Sequence, residues 1–152
     1  MKSILVTLRD SGSFAAFLDL VRAAGMEEML GSEGPYTLFV PDDDALRAVS
    51  ADRLDALRGD AGRLADVLKY HIVAGVHSTV DLLGIRTLRS LQGGDLAVEI
   101  AAEGVLVNNV PVMESDAWCT NGICHAISTL LLPPDVGVVA GEIGMGAGRT
   151  YK

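Results

Sequence analysis

The side chains that could bind a metal or act as nucleophiles are three histidines and two cysteines: His71, His77, His125, Cys119 and Cys124. Imidazole and thiolate groups are the ligands that zinc prefers, so these residues could in principle share one ion. His71 and His125, however, are single polar residues among apolar neighbours in predicted strands. That setting is typical of a core histidine hydrogen-bonded to a buried carbonyl or carboxylate. We therefore expect no metal site.

Three consecutive carboxylates, Asp42, Asp43 and Asp44, form the second group of potential ligands. Calcium prefers clustered oxygen ligands, but consecutive residues cannot all point at one ion. The cluster lies between a predicted strand at 36–40 and a predicted helix at 45–49. Unpaired backbone N–H groups at the start of a helix favour negative charge, so we expect these residues to begin a helix.

Cys119 and Cys124 flank Asn121-Gly122, the dipeptide that most strongly predicts a two-residue hairpin turn. If Asn121 and Gly122 occupy the two central positions, Cys119 lies opposite Cys124, with Cα atoms about 4.5 Å apart. That separation is at the short end of the range that a disulfide tolerates. Two outcomes stay open: a disulfide in an oxidising compartment, or two buried thiols otherwise.

The charge balance and the absence of catalytic motifs reduce the range of possible functions. The chain of 152 residues has 12 Lys and Arg against 20 Asp and Glu, a net charge of −8. Nucleic acids and anionic membranes need a basic surface, so neither is expected as a direct partner. Residues 90–148 contain no Lys or Arg, which indicates a solvated acidic surface. Phosphate-binding loops, His-Glu-x-x-His, nucleophile-elbow and Cys-x-x-Cys motifs are all missing, so nothing in the sequence supports an enzyme or a cofactor.

Periodicity and turn residues predict helices in the first part of the chain and strands in the second, an α+β architecture. Helices are predicted near residues 4–8, 13–25, 26–30, 45–49, 52–57 and 63–70, with Ser3 and Ser13 as N-caps. Strands are predicted at 36–40, 71–75, 87–91, 96–101, 105–107, 110–118 and 123–132, the last five as an antiparallel meander. Residues 79–83 fit either a loop or one helical turn. Residues 3–134 are expected to form one domain, followed by a flexible Gly-rich tail at 135–152.

Three segments together resemble the fasciclin-type adhesion domain. Residues 34–46 (GPYTLFVPDDDAL) are similar to the family's N-terminal signature, residues 68–75 (LKYHIVAG) to its central Tyr-His box, and residues 121–133 (NGICHAISTLLLP) to its closing motif. All three occur in the family's order and spacing. The matching signature residues are Thr37, Phe39, Pro41, Asp43, Asn121, Gly122 and His125, whereas Asp42, Leu46, Cys124 and Ser128 depart from the pattern.

The resemblance implies a wedge of two antiparallel or mixed β-sheets with helices at the N-terminus and along one edge. It also implies a non-enzymatic adhesion or protein-interaction module without a cofactor, which acts as a monomer on a protein partner at the cell surface or in the matrix. Such a domain is extracellular, at the cell surface or periplasmic. No apolar run approaches the ~20 residues of a membrane-spanning helix. The N-terminus lacks the apolar run of a signal peptide, which leaves a cytoplasmic location open.

The resemblance further implies candidate contact residues. Asp116 and Ala117 occupy the place where animal members carry an Asp-Ile pair proposed to meet integrins, but Ala117 lacks the Ile side chain. Trp118 is either a partly exposed contact residue of the type enriched at interaction hot spots or a core residue over the hairpin. Tyr70 and His71 form a structural box that borders a receptor-contact region in animal members. The main alternative is a domain that binds a small ligand or polysaccharide on the acidic strand-rich surface.

Overall fold

Helices in the first half and strands in the second half are confirmed. The computed structural model describes residues 2–32, 34–102 and 104–133, so the predicted tail at 135–152 lies outside the described residues. The helices are α1 (Ile4–Ser11), α2 (Ala15–Ala23), α3 (Glu27–Gly31), α4 (Asp43–Arg47), α5 (Ala51–Arg58), α6 (Ala61–Lys69) and α7 (Thr79–Leu82). The strands are β1 (Tyr36–Pro41), β2 (Ile72–Ala74), β3 (Thr87–Arg89), β4 (Asp95–Ala101), β5 (Gly104–Val107), β6 (Val110–Cys119) and β7 (Gly122–Ile127).

Side-chain caps fix where several helices begin. Ser3 caps α1 and Asp42 caps α4, each accepting a hydrogen bond from the backbone N–H three residues further on (3.3 and 2.8 Å). The predicted cap Ser13 is wrong, since the N-cap of α2 makes no side-chain hydrogen bond. Asp43 instead accepts a hydrogen bond from the N–H of Ala16 in the first turn of α2 (2.9 Å). The carboxylates thus serve the first turns of two different helices, as their charge favours.

The described strands form one seven-stranded mixed sheet in the order β2-β1-β7-β6-β5-β4-β3. β1 and β7 run parallel and the other neighbours antiparallel, which confirms the predicted meander. A bridge between Val73 and Ser90, and a hydrogen bond from the N–H of Leu91 to the Ile72 carbonyl (2.8 Å), join the two ends of the sheet. The sheet is therefore nearly closed into a barrel, and the predicted division into two sheets is not confirmed.

The central strands β1 and β7 are buried on both faces. Alternate side chains of a strand point to opposite faces, so each strand contributes to two hydrophobic clusters. The cluster between the sheet and the helices takes Leu38, Val40, Cys124 and Ala126 from these strands, and the cluster inside the curled sheet takes Phe39 and Ile127. This burial confirms the prediction that the last strand lies at the centre of the core.

The hairpin between β6 and β7 differs from the prediction by one residue. Cys119 pairs with Gly122, so the turn lies one residue earlier in the chain and the predicted pairing of Cys119 with Cys124 is wrong. Gly122 has a φ of +155°, and a Cβ on it would lie 1.9 Å from the carbonyl oxygen of Tyr36. The close parallel approach of β7 to β1, rather than a type I′ turn, therefore requires glycine here.

The side chain of Asn121 explains why the turn is displaced. Its Oδ1 accepts a hydrogen bond from the N–H of Ile4 (2.8 Å), and its Nδ2 donates to the carbonyls of Leu30 (2.8 Å) and Ser32 (2.6 Å). These three bonds join the first turn of α1 and the end of α3 to the start of β7. Contacts with residues distant in sequence, which local turn rules do not include, fix the position of this asparagine.

β7 ends at Ile127, before the predicted end at Leu132. The N–H of Ser128 makes a last hydrogen bond with the carbonyl of Pro111 (3.3 Å), next to the first residue of β6. Beyond that point the backbone leaves the sheet and the N–H of Leu131 donates to Nε2 of His71 (2.9 Å). A histidine side chain thus replaces the neighbouring strand as hydrogen-bond acceptor.

Replacement of Gly122 by alanine is expected to lower the free energy of unfolding by roughly 3 kcal/mol or more, because the new Cβ must displace β1 from β7. Gly84→Ala is the matched control, since a Cβ on Gly84 has no atom within 4 Å. Urea denaturation followed by circular dichroism measures both. Equal stability of the two variants would contradict the proposed role of Gly122.

Asn121→Ala is expected to cost about 3 kcal/mol, because it leaves buried backbone groups of α1 and α3 without hydrogen-bond partners. The exposed neighbour Thr120 provides the control, and Thr120→Ala should change the stability by less than about 0.5 kcal/mol. The same denaturation measurement applies. An Asn121→Ala protein as stable as Thr120→Ala would show that the amide does not hold the helices to β7.

Candidate functional site

A bulge interrupts β6 near the hairpin. The pairing register with β7 shifts between Glu114 and Ala117. Asp116 lies within the bulge with a φ of +59°, a left-handed conformation that aspartate adopts more readily than most residues. Bulges re-aim side chains at the edges of a ladder. Here the bulge brings the Asp116 carboxylate to α7.

The Asp116 carboxylate holds α7 against β6. It accepts hydrogen bonds from the Thr79 N–H (2.9 Å) and from the Thr79 hydroxyl. Partial burial acts to raise the pKa of Asp116, but the two hydrogen bonds and the nearby His125 outweigh it, and the pKa lies below its ordinary value. The side chain predicted to contact a partner is therefore engaged within the domain and is 33% exposed.

His125 belongs to β7 and is fully buried against the segment that precedes α7. Its Nδ1 accepts a hydrogen bond from the N–H of Asp116 (3.2 Å) and its Nε2 donates to the carbonyl of His77 (2.8 Å), so the proton sits on Nε2. The ring stacks on Phe39 with centroids 5.5 Å apart. Burial lowers the pKa of His125, although the His77 carbonyl and Asp116 act to raise it. The neutral ring thus supports the bulge by accepting the hydrogen bond from the Asp116 N–H.

His71 carries its proton on the other ring nitrogen. Nδ1 donates to the carbonyl of Val67 (2.8 Å), and Nε2 accepts from the N–H of Leu131 (2.9 Å). Complete burial lowers the pKa of His71 to about 4, although the hydrogen bond to Val67 acts to raise it. Both His71 and His125 are therefore core histidines bonded to backbone carbonyls, as predicted, although His71 lies in the turn before β2 and not within the predicted strand.

Tyr70 completes the Tyr-His box and is also buried. Its hydroxyl donates to the carbonyl of Asp95 (3.1 Å) and accepts from Nδ2 of Asn108 (2.9 Å). Burial, more than any neighbouring group, raises the pKa of Tyr70. Because Tyr70 is 3% exposed and His71 is not exposed at all, a partner could not reach either ring in this structure. Both residues are therefore excluded from the contact surface considered below.

The remaining potential ligands do not converge. The ring of His77 lies against the carbonyl of Ala74 (3.2 Å), and Asp42 and Asp43 accept bonds from helix N-termini. Within residues 2–32, 34–102 and 104–133, no three His, Cys, Asp or Glu side chains are arranged to hold a metal ion. The buried polar groups described here act as structural hydrogen-bond partners.

Cys119 and Cys124 lie diagonally on one face of the β6–β7 hairpin. Both are buried free thiols, and Sγ of Cys119 lies 3.5 Å from the hydroxyl oxygen of Thr7. A hydrogen bond between the two thiols lowers the pKa of Cys119 to about 6, although burial acts to raise it. The shared proton and burial raise the pKa of Cys124. A disulfide between them stays a prediction.

Trp118 is paired with Ile123 and is 54% exposed, so the interpretation of Trp118 as a core residue is wrong. Two further apolar side chains lie at the same edge, because the bonds between Thr79 and Asp116 hold α7 beside the bulge. These are Val80, 74% exposed, and Leu83, 61% exposed. We name Trp118, Val80 and Leu83 the apolar edge. Grouped exposed apolar side chains are typical of interaction surfaces.

Val80 and Leu83 were not predicted as site residues because residues 79–83 fitted a loop as well as a helix. The available signal was the capping box formed by Ser78 and Asp81, each side chain bonding to the other's backbone N–H. That motif predicts a helix from residue 79. A helix at this position places Val80 and Leu83 three positions apart, on one face of the helix.

These contacts define an α+β domain whose buried polar side chains support the fold and which exposes an apolar edge. The chain belongs to the fasciclin domain family, because the family model described as Fasciclin domain matches residues 12–133. The assignment agrees with the helices and nearly closed mixed sheet described above. In the described part of the chain, no helix is long and apolar enough to cross a membrane.

Similar proteins include animal and bacterial members. The pig (Sus scrofa) transforming growth factor-beta-induced protein ig-h3 is 35% identical over 134 residues, which are 88% of this chain and 20% of that protein. The cell surface glycolipoprotein MPB83 of Mycobacterium bovis is 36% identical over 101 residues, 66% of this chain and 45% of that protein. A solved domain pair from the insect cell adhesion molecule fasciclin I superposes with a TM-score of 0.70 at 20% identity, over 88% of this chain and 52% of that chain. This chain thus spans less than half the length of these two sequence relatives.

The buried His71 is expected to make stability depend on pH. Its folded pKa of about 4 lies below the ordinary value of 6.5, so the unfolded chain binds more protons between these values and stability falls as the pH decreases through them. Between pH 7.5 and 5 this single group should remove about 2 kcal/mol. Urea denaturation at the two pH values measures the loss.

His71→Gln keeps an acceptor for the Leu131 N–H but does not titrate. The loss of stability on acidification should be about 2 kcal/mol smaller in this variant than in the unmodified protein. His77→Gln, at a partly exposed ring, should retain the full loss. Identical pH dependence in all three proteins would exclude His71 as the source.

Proposed function

We propose that this chain is a non-enzymatic adhesion or protein-interaction module that binds a protein partner through the apolar edge. The observation that carries the proposal is the exposure of Trp118 two residues from Asp116, whose carboxylate holds the helix that brings the exposed Val80 and Leu83 to this end of β6. Tryptophan is enriched among the residues that contribute most to protein–protein binding. Ala117 is also exposed, but it projects to the opposite face of β6 and is not part of the apolar edge.

The apolar edge is held in place before a partner arrives. Thr79 donates two hydrogen bonds to Asp116, and the capping box of Ser78 and Asp81 closes the first turn of α7. A surface that is already ordered loses little conformational entropy on binding, so more of the contact energy appears as affinity. Asp116 is therefore a positioning residue in this proposal and not the main contact.

The charge around the apolar edge indicates which kind of protein partner would fit it. Asp116 and Asp81 carry carboxylates close to it, because Asp116 bonds to Thr79 and Asp81 lies in α7, and residues 90–133 contain no Lys or Arg. Interfaces combine an apolar centre with a complementary polar rim. The matching partner is a protein with an apolar pocket, wide enough for an indole ring, and a neutral or basic rim.

The relatives support a location outside the cell. Fasciclin I is described as an insect cell adhesion molecule and MPB83 as a cell surface glycolipoprotein. We extend this to the present chain: its partner is a protein of the cell surface or matrix, and the domain acts there as a monomer.

Capture of partners from surface and matrix extracts tests the proposal. Trp118→Ala should weaken capture of a specific partner at least about 30-fold, the effect of losing a hot-spot residue worth 2 kcal/mol. Ile100→Ala is the matched control, because Ile100 is 50% exposed on β4 and lies outside the apolar edge. Retained binding in Trp118→Ala would remove this surface from the proposal.

A glycan array distinguishes the second candidate function, binding of a polysaccharide or small ligand on the acidic strand-rich surface. The protein-interaction proposal expects no glycan to bind in a Trp118-dependent manner. A glycan ligand without any protein partner would favour the second function. Size-exclusion chromatography with light scattering checks the expected monomer in the same samples.

A further inference from the structure

The ring of His125 uses one nitrogen as a donor and the other as an acceptor. Nε2 donates to the carbonyl of His77 (2.8 Å), and Nδ1 accepts a hydrogen bond from the N–H of Asp116 in the bulge (3.2 Å). The ring is closed off from solvent. A protonated imidazole has two donors and no acceptor. The bond between the Asp116 N–H and the ring therefore exists only while His125 is neutral.

The Asp116 carboxylate lies between two groups that can donate to it. Its Oδ1 accepts a hydrogen bond from the N–H of Thr79 at 2.9 Å, and its Oδ2 accepts one from the Thr79 hydroxyl. The same Oδ1 is 3.9 Å from Nδ1 of His125, which is too far for a hydrogen bond. Protonation of His125 adds a donor and a positive charge at this nitrogen. The ring then competes with Thr79 for the carboxylate.

We propose that Asp116 and His125 form an acid-sensitive switch, in which the Asp116 carboxylate leaves Thr79 and binds the protonated ring of His125. One proton from solvent binds Nδ1, and the first turn of α7 loses its bonds to the bulge. Because α7 carries Val80 and Leu83, this change takes the apolar edge apart. The consequence for binding rests on the function proposed above, whereas the exchange of hydrogen bonds does not.

α7 remains folded when the switch operates. The capping box of Ser78 and Asp81 closes its first turn without any contribution from Asp116. The side chain of Leu82 is fully buried in the cluster inside the curled sheet. Acid therefore changes how the start of α7 lies against the bulge, and the secondary structure is retained.

The pKa values of the two groups give the direction of the switch. Burial lowers the pKa of His125 below its ordinary value of 6.5; the His77 carbonyl and the charge of Asp116 act to raise it, and the charge of His77 acts to lower it. The bond to the neutral ring is thus complete above pH 6.5 and is lost as the pH falls below that value. Partial burial acts to raise the pKa of Asp116, but the bonds from Thr79 outweigh it and keep the carboxylate ionised in this range.

The other elements packed against His125 add one further charge. Glu114 on β6 and His125 both line a cleft of about 130 Å³ beneath α1, and the Glu114 side chain is exposed. α1 contributes hydroxyl and apolar groups to this cleft, and β1 contributes the stacked ring of Phe39. Among the described residues, none of these groups is hydrogen-bonded to the His125 ring. Asp116 is therefore the carboxylate that responds to protonation.

Nuclear magnetic resonance on the free protein tests the exchange of hydrogen bonds without a binding assay. Over a titration from about pH 7.5 to 5, the ring nitrogens of His125 report protonation and the Thr79 amide reports its bond to Asp116. The two signals should titrate together. The fluorescence of Trp118, the only tryptophan in the chain, should change at the same pH. A Thr79 amide that stays unchanged while His125 is protonated would overturn the proposal, as would a ring that stays neutral until the protein unfolds.

Two variants separate the ring from the carboxylate. His125→Asn keeps an acceptor for the Asp116 N–H but does not titrate, so its Thr79 amide should not respond to pH in this range. Asp116→Asn keeps an acceptor for Thr79 without the charge, so its His125 ring should be protonated at least about one pH unit lower. An unaltered titration in either variant would contradict the assigned roles.

His71→Gln is the control for acid effects on the core as a whole. The ring of His71 is bonded to residues 67 and 131, and its pKa of about 4 keeps it mostly neutral at the end of the titration. The Thr79 amide of this variant should respond to pH as in the unmodified protein. Circular dichroism confirms that each variant is folded, and Asp116→Asn decides the outcome if His125→Asn does not fold.

Capture of a partner at two pH values tests the consequence for binding. Affinity should fall roughly tenfold at the pH where about nine tenths of His125 is protonated, because only the remaining tenth presents the assembled apolar edge. His125→Asn should keep its affinity at both pH values. An equal loss in the two proteins would disprove the link between the switch and the partner. Failure to capture any partner at neutral pH would instead contradict the proposed function, and the titration of Thr79 would be unaffected.

Discussion

The buried amide of Asn121 and the absent side chain of Gly122 are the constraint on which the rest of this structure depends. The amide joins residues 4, 30 and 32 to the start of β7, and Gly122 lets β7 lie against β1 in parallel. A parallel pair of strands needs a long connection. Here that connection includes α4–α7 and the meander, so its closing contact must be specific. Two adjacent residues supply it.

The other buried polar side chains also join segments that are distant in sequence. His71 joins α6 to the segment after β7, and His125 joins β7 to the segment before α7 and to the bulge. Each ring uses one nitrogen as donor and the other as acceptor, and the two rings have opposite tautomers. Neither ring then has a nitrogen left for a metal or a substrate. His71 and His125, which first suggest chemistry, therefore act as hydrogen-bond partners within the fold.

Features that depend on neighbouring residues were predicted correctly from the sequence. The predictions failed where contacts between residues distant in sequence determine the structure. The caps at Ser3 and Asp42 are local and were predicted correctly. The turn at Asn121 was displaced because its amide binds Ile4, 117 residues away. Ser13 lost its role to Asp43, which reaches α2 from another helix. Exposure of Trp118 follows from the bulge at Asp116, a register shift that alternation of residue types does not reveal.

The displaced turn also separates the two surfaces of the hairpin. Trp118 and Cys119 are adjacent and so project to opposite faces of β6. One face carries the indole at the apolar edge, and the other carries the thiols beneath α1. A change at Cys119 can therefore reach Trp118 only through the backbone at the end of the hairpin. The packing of the thiols beneath α1 and the exposure of the indole at the apolar edge are therefore separate properties that share one strand end.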